Sequence, residues 1–399
     1  PEVKRRLSKP HPRKESEADV LRKFLTFLSK NWLVILGLVL SVATILTFFL
    51  VTDGVATIKQ IYKSLQYGWL LIAALFVVAQ WVFDALALHV LAVPHQPKRR
   101  FLRSFITAMV GVLYSALTPS ATGGQPMQVV SLGRQGMDTG TATSVIVLKT
   151  ALNQIAITLY ALVMVFWELP FFQTQVSSFS FIVLFAMAVS ILFIAGLLLF
   201  TVNQRLTRRI GTGFVHLLHK LHLCRDEARL MHRMDAMFEQ FFTSSRMIAS
   251  SAWRCIGVVV FTILQLTCYF IVPYCLYRSF GFYGVTVVRL IAATTFVYFA
   301  SMFVPVPGAS GGAEGSFYLF FSPFFPAGAI APAMLVWRLM TYYGAIVVGI
   351  IFTAMDKRIA TDSHAVPPQA AVSEAPSETP PEAASPLTAA TTDETGADE

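Results

Sequence analysis

The chain of 399 residues is 55% hydrophobic and only 13% charged, with a mean hydropathy of +0.62. Soluble domains carry about 25% charged residues, so this composition excludes an ordinary soluble enzyme, and the lack of alternating ten-residue segments argues against an outer-membrane barrel. Net charge is +9, with 29 of the 31 basic but only 13 of the 22 acidic residues lying before Asp356; because these basic residues flank apolar runs of membrane-spanning length, they read as topology signals rather than as a nucleic-acid surface.

In chain order, residues 1–30 form a basic segment in which Leu21, Phe24, Leu25 and Leu28 share one face of a short interfacial helix. A first span is predicted over Trp32–Val51, too long for the core of a signal peptide, followed by an outer loop with Asp53, Lys59 and Lys63. The second span, Trp69–Val93, ends at Lys98-Arg99-Arg100 and Arg103, a cytoplasmic anchor. The next apolar run, Phe105–Leu117, covers only about 20 Å as helix, less than the hydrocarbon core. Pro119 cuts it, apolar residues resume over 127–132, and Arg134 returns the chain to polar surroundings, the pattern of a re-entrant hairpin.

A third span is predicted over Ser144–Trp167, ended on the outside by Glu168-Leu169-Pro170, and a fourth over Phe179–Val202. Residues 203–254 read as a basic amphipathic helix or helix pair on the cytoplasmic leaflet. Spans over Cys255–Tyr277 and Val285–Val304 follow, then a short aromatic stretch, 316–325, and a last span, Ala331–Met355, anchored by Lys357-Arg358. Residues 305–325 either cross or re-enter. The expected fold is an all-α polytopic bundle of about seven or eight spanning helices with two Pro/Gly-broken re-entrant segments and both termini cytoplasmic. It divides into the basic segment 1–30, a membrane domain 31–355 and a tail, 356–399. The tail is acidic and rich in Ala, Pro, Ser and Thr, a composition expected to stay disordered.

Two breaks carry the same pattern, Pro-x-Ala-(Ser/Thr)-Gly-Gly. One is Pro119-Ser120-Ala121-Thr122-Gly123-Gly124-Gln125, and the other is Pro307-Gly308-Ala309-Ser310-Gly311-Gly312-Ala313-Glu314. Non-helical backbone cannot face lipid and is tolerated only where it is buried or lines a polar cavity. Paired interruptions point to a transporter's binding site. The glycines are expected to let backbone N–H groups converge on an anion such as a phosphate headgroup; the alternative is close helix packing. Glu314, a carboxylate flanked by apolar helix, would bind a cationic headgroup, relay a proton or pair with a basic residue, or else hydrogen-bond loop amides.

Gln125 and Gln128 offer neutral partners near the first break. Lys149 and Asn153 share a helix face beside Gln154, and Lys149 either snorkels or points into a cavity. Arg338 lies deep in the last span, Arg289 reaches the outer interface, and Asp84 is deep enough to need a cation. His216, His219 and His222 near Cys224 drift around a helix and read as an interfacial face, not a zinc site. The four cysteines show no metal spacing. No cofactor, metal site or catalytic residue is assigned.

Thr118-Pro119 through Gly124-Gln125-Pro126, with Arg134, Gly136 and Lys149, resembles the first signature of the flippase-like membrane family that includes the transmembrane region of lysylphosphatidylglycerol synthases. Pro305-Val306-Pro307-Gly308 through Gly311-Gly312-Ala313-Glu314 resembles its second, Pro-x-Pro-Gly-x-x-Gly-x-x-Glu. The resemblance covers roughly residues 30–355. It implies a multi-pass protein of the bacterial inner membrane that moves a lipid between leaflets, its guest an anionic or aminoacylated phospholipid or a polyprenyl-phosphate-linked sugar. No aminoacyltransferase domain follows the last span, so lysyl transfer on this polypeptide is not expected.

The candidate substrate-binding residues are therefore Asp84, Thr122, Gly123, Gly124, Gln125, Gln128, Arg134, Lys149, Asn153, Ser310, Gly311, Gly312, Glu314 and Arg338. The competing readings are a membrane enzyme acting on a lipid phosphate or lipid-linked sugar, with Asp84 or Glu314 as acid or base, and a non-transporting partner of such an enzyme. A membrane lipid is the expected partner, with a second copy or a membrane enzyme alongside, and nucleic acid is not expected.

Overall fold

A computed structural model of the chain describes residues 65–175, 179–220 and 227–364, together with Val39, Ala43 and Leu46. The basic segment 1–30, almost all of the predicted first span, the loop with Asp53, Lys59 and Lys63, residues 221–226 with His222 and Cys224, and the tail from residue 365 lie outside the described residues.

The described residues are helical almost throughout. α1 (Tyr67–Ala92) is apolar on all sides, as a helix facing lipid on one side and protein on the other must be. α2 (Phe101–Leu117) and α3 (Gly124–Arg134) form the first hairpin. α4 (Thr139–Gln175) runs for 37 residues with Pro170 inside it, so the Glu168-Leu169-Pro170 stop expected from the sequence is not one. Proline removes a single helical hydrogen bond, and here packing outweighs that loss. Phe172 is fully buried and meets the rings of Phe296 and Phe320 edge-on at 5.0 and 6.1 Å.

α5 (Phe179–Val202) follows, then α6 (Gln204–Lys220) and α7 (Glu227–Ala249), the amphipathic pair anticipated over 203–254. α7 packs on α4, with Ser144 Oγ 2.8 Å from Ser245 Oγ and Ser244 Oγ donating to Thr141 Oγ1 at 3.2 Å. α8 (Ala252–Phe270) passes almost without interruption into α9 (Val272–Ser279). α10 (Val287–Ser301) and α11 (Gly312–Phe321) form a second hairpin. α12 (Ala327–Arg338) passes through a π-helical turn (Leu339–Tyr343) into α13 (Gly344–His364).

Among the described residues, five helical stretches are long and apolar enough to cross a membrane: Tyr67–Ala92, Thr139–Gln175, Leu184–Val202, Ala252–Ser279 and Gly328–Ile359. The stretch expected to cross over 285–304 is only the 15-residue α10, about 22 Å long at 1.5 Å per residue. The chain turns back after it, and α11 packs against α10.

The two hairpins enter from opposite ends of the bundle. The first is rooted at the basic end, where Ser131, Arg134 and Gln135 meet Asp356 in the C-terminal part of α13. The second is rooted at the other end. There Glu168 of α4 pairs with Arg289 of α10 at 2.9 Å, Phe171 stacks on Phe324 at 5.6 Å, and Phe325 packs edge-on against Tyr277 and Phe282 at 5.3 and 5.8 Å.

The root of the first hairpin is closed by a buried polar network. Gln135 stands between two charges: its Oε1 accepts from Arg99 Nη2 at 2.7 Å and its Nε2 donates to Asp356 Oδ1 at 2.9 Å. Asp356 also accepts from Ser131 Oγ at 2.8 Å and pairs with Arg134 Nη1 at 3.3 Å. Burial, and secondarily Arg103, pull the Arg99 pKa down to about 10 while Asp356 holds it up, so Arg99 stays cationic at neutral pH. The sequence boundary at Asp356 thus falls inside the bundle: the helix continues to His364 and the Asp356 side chain is fully buried. Asp356→Ala is expected to cost about 3 kcal/mol, the usual penalty for stranding the partners of a buried charge. Thermal unfolding of the detergent-solubilised protein measures this, with Asp356→Asn retaining more of the stability.

Candidate functional site

The hairpin tips meet. Pro119 and Pro307, the first residues of the two motifs, pair as an isolated antiparallel bridge. Tight turns on both sides bring them there. Ser120, Ala121 and Ala309 hold φ of 50°, 56° and 50°, and Gly308 and Gly311 hold 64° and 85°. Left-handed backbone costs about 1–2 kcal/mol at a non-glycine residue, and such strain persists only where surrounding structure enforces it.

The second tip is enforced by a buried ion pair. Arg338 Nε lies 2.9 Å from Glu314 Oε1, with the glutamate side chain fully buried and the arginine 6% exposed. Glu314 Oε2 accepts the Gly311 N–H at 2.7 Å, so it also caps the start of α11. Arg338 Nη1 donates to the Gly308 carbonyl at 3.2 Å, and its guanidinium lies 5.2 Å from the Trp337 ring and 5.3 Å from that of Tyr342. Tyr342 fills the space where a Gly308 Cβ would sit. Its hydroxyl reaches the Ala116 carbonyl at 3.4 Å, tying the second tip to the end of α2.

The first tip is held more lightly. The Gly123 N–H donates to Thr118 Oγ1 at 2.8 Å, and Thr122 Oγ1 donates to the Pro119 carbonyl at 3.0 Å. A Cβ at Gly124 would collide with Ser115 Oγ and crowd the Gly111 carbonyl, and the Gln128 side chain fills the space where a Gly111 Cβ would sit. The Gly123 and Gly311 N–H groups are consumed by a hydroxyl and a carboxylate of their own hairpins, and the glycines serve close packing and positive φ.

What the tips enclose is lined by side chains. A hollow of about 670 Å³ is bordered by residues of both motifs, Ser120, Ala121, Thr122 and Gln125 from the first and Gly308 and Ala309 from the second. It adjoins a second of about 350 Å³, lined by Asp84, Gly124, Gln128, Lys149 and Gln265 among others; Ser115, Gln125, Thr150, Asn153 and Tyr298 border both. In the smaller hollow, Lys149 Nζ donates to Asp84 Oδ1 at 2.7 Å, with side chains 10% and 13% exposed. Asp84 is eight residues from the basic end of α1 and Lys149 ten into α4, each about 12–15 Å along its helix. Of the two orientations open to Lys149, the structure takes the cavity, and the cation that Asp84 required is Lys149. The larger hollow turns apolar toward α5, where Phe193 and Leu197 form its wall.

Seven of the fourteen candidate residues border these hollows: Asp84, Thr122, Gly124, Gln125, Gln128, Lys149 and Asn153. Glu314 and Arg338 lie behind the second tip with Ser310, Gly311 and Gly312, Gly123 is turned to Thr118, and Arg134 is at the basic root. Sequence reasoning missed Ser115, Thr150, Gln265, Tyr269 and Tyr298 in the lining. Gln265, an amide in the middle of an apolar span, carried a readable signal; the two tyrosines did not.

An all-helical multi-pass membrane protein with two helical hairpins meeting beside a hollow of mixed polar and apolar lining is the class these features define. The family model for the lysylphosphatidylglycerol synthase TM region matches residues 34–349, and the chain belongs to that family. A UPF0104 membrane protein of Archaeoglobus fulgidus is 24% identical over 324 residues, covering 79% of this chain and 94% of the relative.

Proposed function

We propose that the chain is a lipid translocase of the bacterial cell membrane, passing a phospholipid or lipid-linked headgroup between leaflets through the hollow at the hairpin tips. The observation that carries this reading is the meeting of Pro119 and Pro307, from hairpins of opposite entry, beside a hollow lined by both polar and apolar side chains. A headgroup there exchanges water for Asp84, Gln125, Gln128, Lys149 and Asn153, while acyl chains stay in lipid beyond α5. Glu314, Arg338, Gly311 and Gly312 hold the tip in place, and Arg134 holds the root; none of them borders the hollows. The family's name, which refers to lysylphosphatidylglycerol synthases, supports a phospholipid guest. The basic end is cytoplasmic in this proposal, by the positive-inside rule.

The test uses purified full chain in vesicles carrying acyl-chain-labelled fluorescent phospholipids, with dithionite added outside. Quenching is expected to proceed past the outer-leaflet fraction. Rates equal to those of protein-free vesicles, for every headgroup tried, would remove the proposal.

A further inference from the structure

The charges bordering the hollows balance. Among the lining residues the full charges are Asp84 and Lys149, joined at 2.7 Å; the polar remainder are neutral hydroxyls and amides. This balance constrains the guest. A purely anionic headgroup that draws Lys149 away leaves the Asp84 carboxylate uncompensated in a low-dielectric bundle, and a purely cationic one strands Lys149 instead. Stranding one partner of a buried pair is the costly event, far more so than exchanging partners.

Two further groups point the same way. Gln265 Oε1, of a residue lining the same hollow as Asp84, is buried without a hydrogen-bond partner. Gln154 Nε2, bordering the tip-side hollow with Thr122 and Gln125, is a buried donor likewise without one. Buried polar atoms are normally satisfied, and exceptions mark places where a missing partner belongs. One unpartnered acceptor thus lies in the hollow with Asp84, and one unpartnered donor borders the hollow at the tips.

Resting on the translocase reading, we infer that the guest is a headgroup carrying a phosphate and a primary ammonium together, of the ethanolamine type. The ammonium replaces Lys149 on Asp84 and donates to Gln265 Oε1. Lys149 turns to the phosphate, which also accepts from the amides of Gln154, Gln125 or Asn153. The exchange opens one ion pair and forms two, so no charge is stranded at any stage.

The experiment compares ethanolamine-headed and glycerol-headed phospholipids with identical labelled acyl chains in the same dithionite assay on full-length protein. The ethanolamine-headed lipid is expected to move at least about tenfold faster, a difference of about 1.4 kcal/mol. Asp84→Asn is expected to erase most of that preference. Equal rates in the unmodified protein, or faster movement of the glycerol-headed lipid, would overturn the inference and leave the translocase reading standing. Movement of neither above protein-free vesicles would remove the translocase reading itself. Uptake of free phosphoethanolamine into the vesicles without lipid movement would place the guest in water and overturn both. The wild-type comparison decides the matter even where Asp84→Asn fails to fold.

Discussion

Arg338→Met is expected to destabilise the protein by about 3–5 kcal/mol, the cost of leaving one member of a buried ion pair without its partner. Its side chain holds three things at once: the Glu314 carboxylate at 2.9 Å, the Gly308 carbonyl at 3.2 Å and the faces of Trp337 and Tyr342. Methionine fills much of the volume but leaves a fully buried carboxylate facing apolar side chains. A loss of that size is a large fraction of the total stability of a typical domain, about 5–15 kcal/mol, and falls on the loop that meets Pro119. Glu314→Gln should cost less than Arg338→Met, because an amide oxygen still accepts the Gly311 N–H. The double variant should be more stable than the sum of the two losses implies, since it strands no charge. Thermal unfolding in detergent across the four proteins gives the coupling. An Arg338→Met variant as stable as the parent would show that the pair contributes nothing and that the tip is held by chain geometry alone.

The parts legible in the sequence are those with a local signature. Hydropathy located α1, α4 and α5 to within a few residues of a boundary, except where Pro170 proved weaker than the packing of Phe172. The two Pro/Gly motifs announced breaks at membrane depth, and the shortness of Phe105–Leu117 announced a hairpin. Other features are settled by pairing across the chain. Asp84 and Lys149 stand 65 residues apart, and Ser131 and Asp356 225 apart; neither partner marks the other in sequence. Asp356 borders an acidic, low-complexity stretch, so composition assigned it to the tail, whereas it satisfies the first hairpin's root. Glu314 and Arg338 stand out in the sequence as charges flanked by apolar helix, yet depth alone does not say whether a charge faces a cavity or a neighbour. Here they face each other.

The other charge pair tests function rather than folding. Lys149→Met is expected to slow lipid movement at least tenfold, since it removes the ammonium donor among the residues lining the hollows and leaves Asp84 repelling a phosphate, an opposed charge contribution of order 1 kcal/mol or more at cavity dielectric. A simple loss of stability would produce the same reading, so the double variant Asp84→Asn/Lys149→Met is the discriminating protein. It carries no stranded charge, and its thermal stability should return close to that of the parent. Lipid movement should stay slow, because a neutral amide and a thioether cannot replace the hydration of a charged headgroup at 12–15 Å (about half the hydrocarbon thickness) along the helix. Parental transport in the double variant would mean that the Asp84–Lys149 pair at 2.7 Å only fastens α1 to α4, and that the headgroup path runs instead past Ser120, Thr122 and Gln125 at the hairpin tip.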